Sequence, residues 1–271
     1  MRRMTPETLL HHVDTGRPWA ARLSTRPGYG LDTAYADALA VRALRVARGE
    51  RPLGYKVGFT NRGIWPVYNV YAPIWGSVYD STVVFCDGEG RLDLSHTCEP
   101  RIEPEAVFGL RSAPAAEASI GDLFDALEWV APGFEIVQSH LAGWKFEAPD
   151  TVADGGLHAR LLVGRRMPVR EIAADAAGLD AALAGAGVVL ARDGQALDRG
   201  KGAAVLDGPV QALWHFVQAQ RACPGAPALR AGDIVTTGTW TDAWPVAPGQ
   251  VWHGAFDAPL SPLSPLSLRL E

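Results

Sequence analysis

Residues Glu99–Leu110, "EPRIEPEAVFGL", decide how this chain is read. In a strand, side chains at i and i+2 share a face. Arg101, Glu103, Glu105 and Val107 then point one way, while Ile102, Pro104, Ala106, Phe108 and Leu110 point the other and pack. Taken alone, the stretch fits an edge strand with its acidic face in water, and Pro104 supports an edge because it brings no N–H to a ladder. A third acid changes the balance. Glu135 lies in "GFEIVQS", wedged between Phe134 and Ile136. Three carboxylates in short apolar strands cannot be buried bare, since each isolated charge costs several kcal/mol or more. A divalent cation resolves the conflict. A site of carboxylates without His or Cys favours Mg²⁺ or Mn²⁺ over zinc. Three protein ligands leave about half of an octahedron for water or a chelating substrate.

Lys56, in "GYKVG", poses the matching problem with the opposite sign. It is either a lysine snorkelling from a strand end or a proton carrier whose pKa a metal and a dry pocket would lower. Asp80, in "GSVYDSTV", is either a turn residue between two strands or a further acid for proton transfer.

The remaining chain bounds these readings. It has 271 residues and a net charge of −5, with arginines such as Arg2-Arg3 and Arg165-Arg166 scattered, which argues against a nucleic-acid surface. The N-terminus lacks the apolar core of a signal peptide, and no run approaches the ~18 apolar residues of a membrane span. Cys86, Cys98 and Cys223 are few and widely spaced, as expected of a cytoplasmic protein. Residues 1–50 read as helical; "DTAYADALAVRALRVARGE" starts at Asp32 as N-cap and stops at Gly49. Residues 51–271 read as a β-rich body of short strands. Helices over "SIGDLFDALEWV" and "PVQALWHFVQAQ" interrupt it, and "ARDGQAL" carries the Asp-Gly of a hairpin turn. The Pro-spaced tail "APLSPLSPLSL" reads as irregular or an edge strand.

In order, "GYKVGFT", "YAPIWGSVYD", "PRIEPEAVF", "FEIVQS…WKFEAPDTVAD", "GAAVLDGPVQAL" and "AGDIVTTGTWTDAWPVAPGQ" resemble the 2-keto-4-pentenoate hydratase / 4-oxalocrotonate decarboxylase branch of the fumarylacetoacetate hydrolase superfamily. The resemblance spans roughly residues 30–270. It implies an α+β fold: a mixed β-roll of the superfamily's C-terminal type with a small helical N-terminal part. It implies one Mg²⁺ or Mn²⁺ on the matching Glu103, Glu105 and Glu135, holding a 2-oxo acid and stabilising its enolate. Lys56 and Asp80 match the proton-moving residues, and Arg101 and Thr241 fall among the substrate-binding candidates. A homo-oligomer is implied as well.

One block departs. Where the family reads Asn-Ala-Ser-Ser after "DTVAD", this chain reads Gly155, Gly156, Leu157 and His158. His158 either replaces the missing serine at the substrate or is simply packed. The aromatic loop "NRGIWPVYNVYAPIWG" is core or a pocket wall. The leading expectation is hydration of a 2-hydroxyalka-2,4-dienoate. Decarboxylation of a 4-oxalocrotonate-like diacid comes second, with Arg101, Lys145 or Arg160 receiving its far carboxylate. Hydrolysis of an acylpyruvate and a catalytically silent companion subunit complete the set.

Overall fold

The computed structural model describes residues 4–68, 70–115 and 117–271; Arg2, Arg3 and Asn69 of the stretches above lie outside them. The described strands, in chain order, are β1 Pro52–Gly58, β2 Ile74–Tyr79, β3 Val83–Phe85, β4 Glu89–Leu92, β5 Arg101–Leu110, β6 Leu127–Val137 and β7 His158–Val163. They continue with β8 Met167–Pro168, β9 Gly187–Arg192, β10 Gln195–Lys201, β11 Ile234–Thr236, β12 Trp244–Pro245, β13 Val251–Phe256 and β14 Leu266–Leu270. The large mixed sheet has the order β2-β1-β11-β5-β6-β7-β3, with β12 on β5 and β8 on β6; the second runs β10-β9-β13-β14-β4. In the large sheet β2 and β3 stand at opposite ends, yet residues 80–82 join them directly. The sheet must therefore curl back on itself, and Leu161 N–H of β7 closes the seam by donating to Thr82 O at 2.9 Å.

β5 is central rather than an edge. Its neighbours β11 and β12 come from some 130 residues downstream in "DIVTTGTWTDAWP", which a local period cannot reveal. Pro104 is tolerated because of where its missing N–H points. The N and C=O of one strand residue face the same side, and Pro104 O accepts from Trp240 N at 3.0 Å. That side falls in the gap between β11, paired at Val107–Gly109, and β12, paired at Arg101 and Ile102.

Helices α1 Pro6–Thr15 and α2 Leu31–Ala47 account for the helical N-terminal part. Gly30, not Asp32, caps α2; Asp32 sits in its first turn, where an acid suits the helix dipole. These helices close no core of their own: Leu9, Trp19, Leu23 and Ala34 pack with Ile74, Val137, Phe146 and Leu157 of the body. The short α3 Trp65–Tyr68 is followed by α4 Ile120–Ala126, which Ser119 and Asp122 start with a reciprocal capping box. The helix expected through Val130 stops at Ala126, because Leu127–Val137 is claimed by β5. There Trp129 lies over Gly109, where an added Cβ would come within 2.1 Å of the indole. The second long helix is as expected, Pro209–Ala222 with Pro209 in its first turn. The Asp193-Gly194 turn joins β9 and β10, both residues in the left-handed region. The tail is irregular over 258–265 and then enters β14, which is not an edge: it lies between β13 and β4, with Leu266, Leu268 and Leu270 alternating into the core around Trp252.

A buried ion pair fastens α1 to the body. His140 Nδ1 lies 2.6 Å from Asp154 Oδ1, Asp154 Oδ2 accepts from His140 N at 2.9 Å, and Nε2 meets His12 O of α1 at 3.1 Å. Burial alone would lower the imidazole pKa, but Asp154, helped by Cys98, raises it from the ordinary 6.5 to about 10. A raised cationic pKa contributes stability that is complete below pH 6.5 and vanishes as pH rises through about 10. The stability gap between the native chain and His140→Gln should therefore be about 3 kcal/mol at pH 6 and shrink steadily by pH 10 in urea unfolding. A gap that does not change with pH would refute the charged pair.

Candidate metal centre

Neighbouring strands deliver the site. Lys56 stands on β1, Thr237 and Gly238 follow β11, Glu103 and Glu105 stand on β5, Glu135 on β6 and His158 opens β7. Across the β5–β6 ladder Glu103 faces Glu135 directly, so the i, i+2 pair and the third acid share one face. One carboxylate oxygen from each of Glu103, Glu105 and Glu135 lies within 4.8 Å of the others. Curling is what admits the lysine. β1 and β6 are three strands apart, roughly 14 Å on a flat sheet, yet Lys56 Nζ sits 3.0 Å from Glu135 Oε2.

The two buried acids are each held by one oxygen and left bare on the other. Glu105 Oε2 accepts from Thr237 N at 3.0 Å and Gly238 N at 2.6 Å, while Oε1 has no hydrogen-bond partner. Gly238 has to be glycine, at φ +94, because an added Cβ would fall 1.9 Å from Thr60 Oγ1. Glu135 Oε1 meets His158 Nδ1 at 2.9 Å; Oε2 has Lys56 beside it as an ion pair, but off the line of a hydrogen bond. Glu105 Oε1, which has no partner, and Glu135 Oε2, whose one neighbour is the Lys56 ammonium, converge with Glu103 as an oxygen donor set for a divalent cation. The residues fit Mg²⁺ or Mn²⁺.

Without that cation the charges strain one another. Burial, with Glu135 nearby, pushes the Glu103 carboxyl up to about 7 even though Lys56 opposes the shift. Burial and its two acidic neighbours hold Glu105 well above the usual range. Burial would raise Glu135 too, but Lys56 and His158 outweigh it and lower its pKa. For Lys56 the expected lowering is reversed: burial opposes its charge, but Glu135, Glu103 and Glu105 together raise the pKa. Lys56 is buried as a paired ammonium, not snorkelling.

The cluster opens into a cavity of about 190 Å³. Lys56, Glu103, Arg101, Thr241 and Asp242 line it on the polar side; Phe59, Tyr68, Phe146 and Leu157 line it on the apolar side. Phe59 stacks on Tyr68 at 5.1 Å and Tyr68 on Phe146 at 5.2 Å, so the aromatic loop supplies a wall through Tyr68. It supplies core through Trp75, which is buried against Tyr35 and Tyr55. Arg101 lies 4.2 Å over the Trp144 ring. Two candidates are not brought to this cavity. Asp80 sits at the seam of the roll, where Arg51 takes both its oxygens at 2.9 Å and holds its pKa low. It is four rungs from Lys56 along the β1–β2 ladder, roughly 13 Å. His158 is not among the residues that line this cavity; it bonds Glu135 from behind, while Leu157 lines the cavity. Thr82, Thr237 and Gly238 were not singled out from the sequence. Their roles come from a hydroxyl at a turn and from backbone N–H groups, which no side-chain pattern announces.

A buried lysine and three convergent carboxylates inside a curled roll form a cluster that could hold a divalent cation beside a small cavity. No protein-family model matches the chain. It is 31% identical over 245 residues to 2-hydroxyhexa-2,4-dienoate hydratase of Comamonas testosteroni, covering 90% of this chain and 89% of that one. It is 33% identical over 226 residues to 2-keto-4-pentenoate hydratase of Burkholderia vietnamiensis, covering 83% and 81%. A solved 4-oxalocrotonate decarboxylase from Pseudomonas putida G7, complexed with magnesium and adipate, superposes over the full length of both chains with a TM-score of 0.84 at 25% identity. Fumarylpyruvate hydrolase from Pseudomonas aeruginosa shares the fold, with a TM-score of 0.56 at 17% identity over 81% of this chain and 89% of that one. The chain belongs to the 2-keto-4-pentenoate hydratase / 4-oxalocrotonate decarboxylase family.

Proposed function

We propose that the chain is a divalent-metal-dependent hydro-lyase that adds water to a 2-hydroxyalka-2,4-dienoate. The observation that carries this is the unpartnered Glu105 Oε1 converging with Glu103 and with Glu135 Oε2, which Lys56 pairs, at a small cavity. Glu103, Glu105 and Glu135 would hold Mg²⁺ or Mn²⁺, which supplies Lewis-acid polarisation of a 2-oxo acid's oxygens. The magnesium complex of the decarboxylase relative supports that choice. Lys56 lines the cavity as an ammonium, a proton donor held away from bulk water. In the overall reaction the 2-hydroxyl loses a proton, C5 gains one, and water adds H and OH across C3–C4. Lys56 is the group we assign to the proton delivered at carbon. Asp80 has no part in it, being occupied by Arg51 at the seam. Phe59, Tyr68, Phe146 and Leu157 offer the diene an apolar surface.

Arg101 favours a second reading. It is a cation on the cavity wall, 4.2 Å from the Trp144 ring centroid, and suits the far carboxylate of a diacid, as decarboxylation requires. Asp242, which also lines the cavity, counts against a second carboxylate there, and the aromatic and aliphatic lining suits a hydrocarbon tail, which is why hydration comes first. The test is turnover of 2-hydroxypenta-2,4-dienoate and of 2-oxohex-3-enedioate by the purified chain with Mg²⁺. Dienol absorbance lost to a hydroxy-oxo acid supports hydration; CO₂ as main product replaces it with decarboxylation; no turnover of either favours a silent companion subunit. We further assign a cytoplasmic homo-oligomer. The free Cys86, Cys98 and Cys223 support the compartment, and exposed Val84 and Phe85 on terminal strand β3 support the assembly.

A further inference from the structure

We propose that His158, backed by Thr82, is the outer positioning residue of the cation site: it holds one oxygen of Glu135 so that the other faces the ion. The inference rests on the metal-site reading above and adds a residue that never touches the metal or the substrate.

Both ring nitrogens are engaged. Nδ1 lies 2.9 Å from Glu135 Oε1 and Nε2 lies 2.9 Å from Thr82 Oγ1. A carboxylate only accepts, so Nδ1 must carry hydrogen. On a neutral ring Nε2 is then an acceptor, and the Thr82 hydroxyl is its donor. That hydroxyl also lies 3.2 Å from Tyr79 O and accepts from Tyr79 N at 3.2 Å, so the imidazole is its nearer target. Glu135 thus selects the tautomer, and the Thr82 hydroxyl, able to donate to Nε2, supports it.

The two buried acids show the same division by different means. In Glu105 two backbone N–H groups occupy Oε2 and leave Oε1. In Glu135 the imidazole occupies Oε1 and leaves Oε2. The orientation of Glu105 is thus set by backbone, while that of Glu135 is set by a side chain that can be exchanged.

The backbone is bent to put that side chain there. Glu135 pairs with Leu161 and Ile136 with Arg160, so an unbroken ladder would place Ala159 opposite Val137. A register shift between Ile136 and Val137 places His158 there instead. Because successive strand residues alternate faces, that single slip turns His158 toward the Glu135 side. Upstream, Gly155, Gly156 and Leu157 all take positive φ, at 65°, 72° and 66°. For a leucine this conformation is costly. The positive φ values suit the two glycines, and the turn passes close to β2: a Cβ on Gly156 would lie 3.1 Å from Gly76 N, and one on the facing Gly76 2.0 Å from Gly155 O. The "DGGLH" departure is therefore one device. Its glycines let the turn pass β2, its leucine faces the cavity, and its histidine reaches back to Glu135.

The test is calorimetric titration of the chelator-treated full chain with Mn²⁺ at fixed pH, with the Mn²⁺ electron paramagnetic resonance spectrum and the thermal midpoint of each metal-free protein as companions. His158→Ala should weaken Mn²⁺ by roughly 10- to 100-fold. His158→Asn, whose amide N–H falls where Nδ1 stood, should recover binding to within about threefold, whereas His158→Gln, whose amide falls nearer Nε2, should not. Thr82→Val should weaken binding in the same direction by less. At saturating Mn²⁺ the kcat of His158→Ala should approach that of the native chain. The proposal is overturned if His158→Ala binds Mn²⁺ as the native chain does, or if Asn and Gln behave alike while the metal-free midpoints are unchanged. The underlying site fails separately, by the native chain and Glu105→Gln binding Mn²⁺ equally.

Discussion

Lys56→Met should leave a protein that still binds Mg²⁺ and no longer turns over. The ammonium is 2% exposed and faces Glu135, which is wholly buried. Removing one partner of such a pair costs about 3–5 kcal/mol, because the other charge is left uncompensated. In the metal-free protein that loss should grow with pH. Without Lys56 the Glu135 carboxyl rises above its ordinary value, and a raised acid loses stability as pH climbs through its folded pKa. Thermal midpoints at pH 5 and pH 8 should therefore separate the variant from the native chain more widely at pH 8. Saturating Mg²⁺ should narrow the difference, since the cation replaces the missing charge, and Mg²⁺ affinity should hold or improve. Turnover should nonetheless drop by roughly 10²–10⁴, the usual contribution of a positioned proton carrier. Retained turnover would remove Lys56 from the chemistry and leave it a counter-ion.

Glu105→Gln should give the reverse pattern. The amide oxygen can still accept from Thr237 N and Gly238 N, so the fold is kept, but the charge facing the cation is gone. Mg²⁺ affinity should drop by at least about 100-fold, and turnover at fixed Mg²⁺ by roughly 10³-fold, in keeping with several kcal/mol supplied by a Lewis acid. The native chain should also show why the acids wait for a metal. Glu103 is pushed up to about 7 and Glu105 is held well above the usual carboxylate range, so protons must leave before the cation binds. Mg²⁺ affinity should rise from pH 6 to pH 8, with protons released to the buffer on titration. Calorimetry in two buffers of different ionisation heat measures that release. An affinity that is flat with pH would mean that the carboxylates are already ionised.

These two variants separate cation binding from proton transfer, and both were legible in the sequence. The i, i+2 spacing put Glu103 and Glu105 on one face, and the apolar flanks of Glu135 and Lys56 marked charges that needed partners. Period says which face a side chain takes; it does not say which strand lies alongside. That is why β5 read as an edge, its partners β11 and β12 being far away in sequence. For the same reason α4 was read four residues too long, into the strand that β5 recruits. Asp80 matched a family block, yet its place is set by the closing of the roll, where Arg51 waits for it. His158 was visible as a departure, but its direction depends on a one-residue slip that leaves no trace in composition or spacing.

Pro104 has an effect larger than its own size. A residue without an amide hydrogen cannot complete a rung, so no strand can zip along β5 between Ile102 and Val107 on that side. The chain leaving β11 has to detour there, and the detour is useful. Its first turn presents Thr237 and Gly238 to Glu105, and Gly238, Thr239, Thr241, Asp242 and Ala243 become the rim of the cavity. The loop that borders the cavity is thus the visible consequence of a missing rung, placed by one proline between two glutamates.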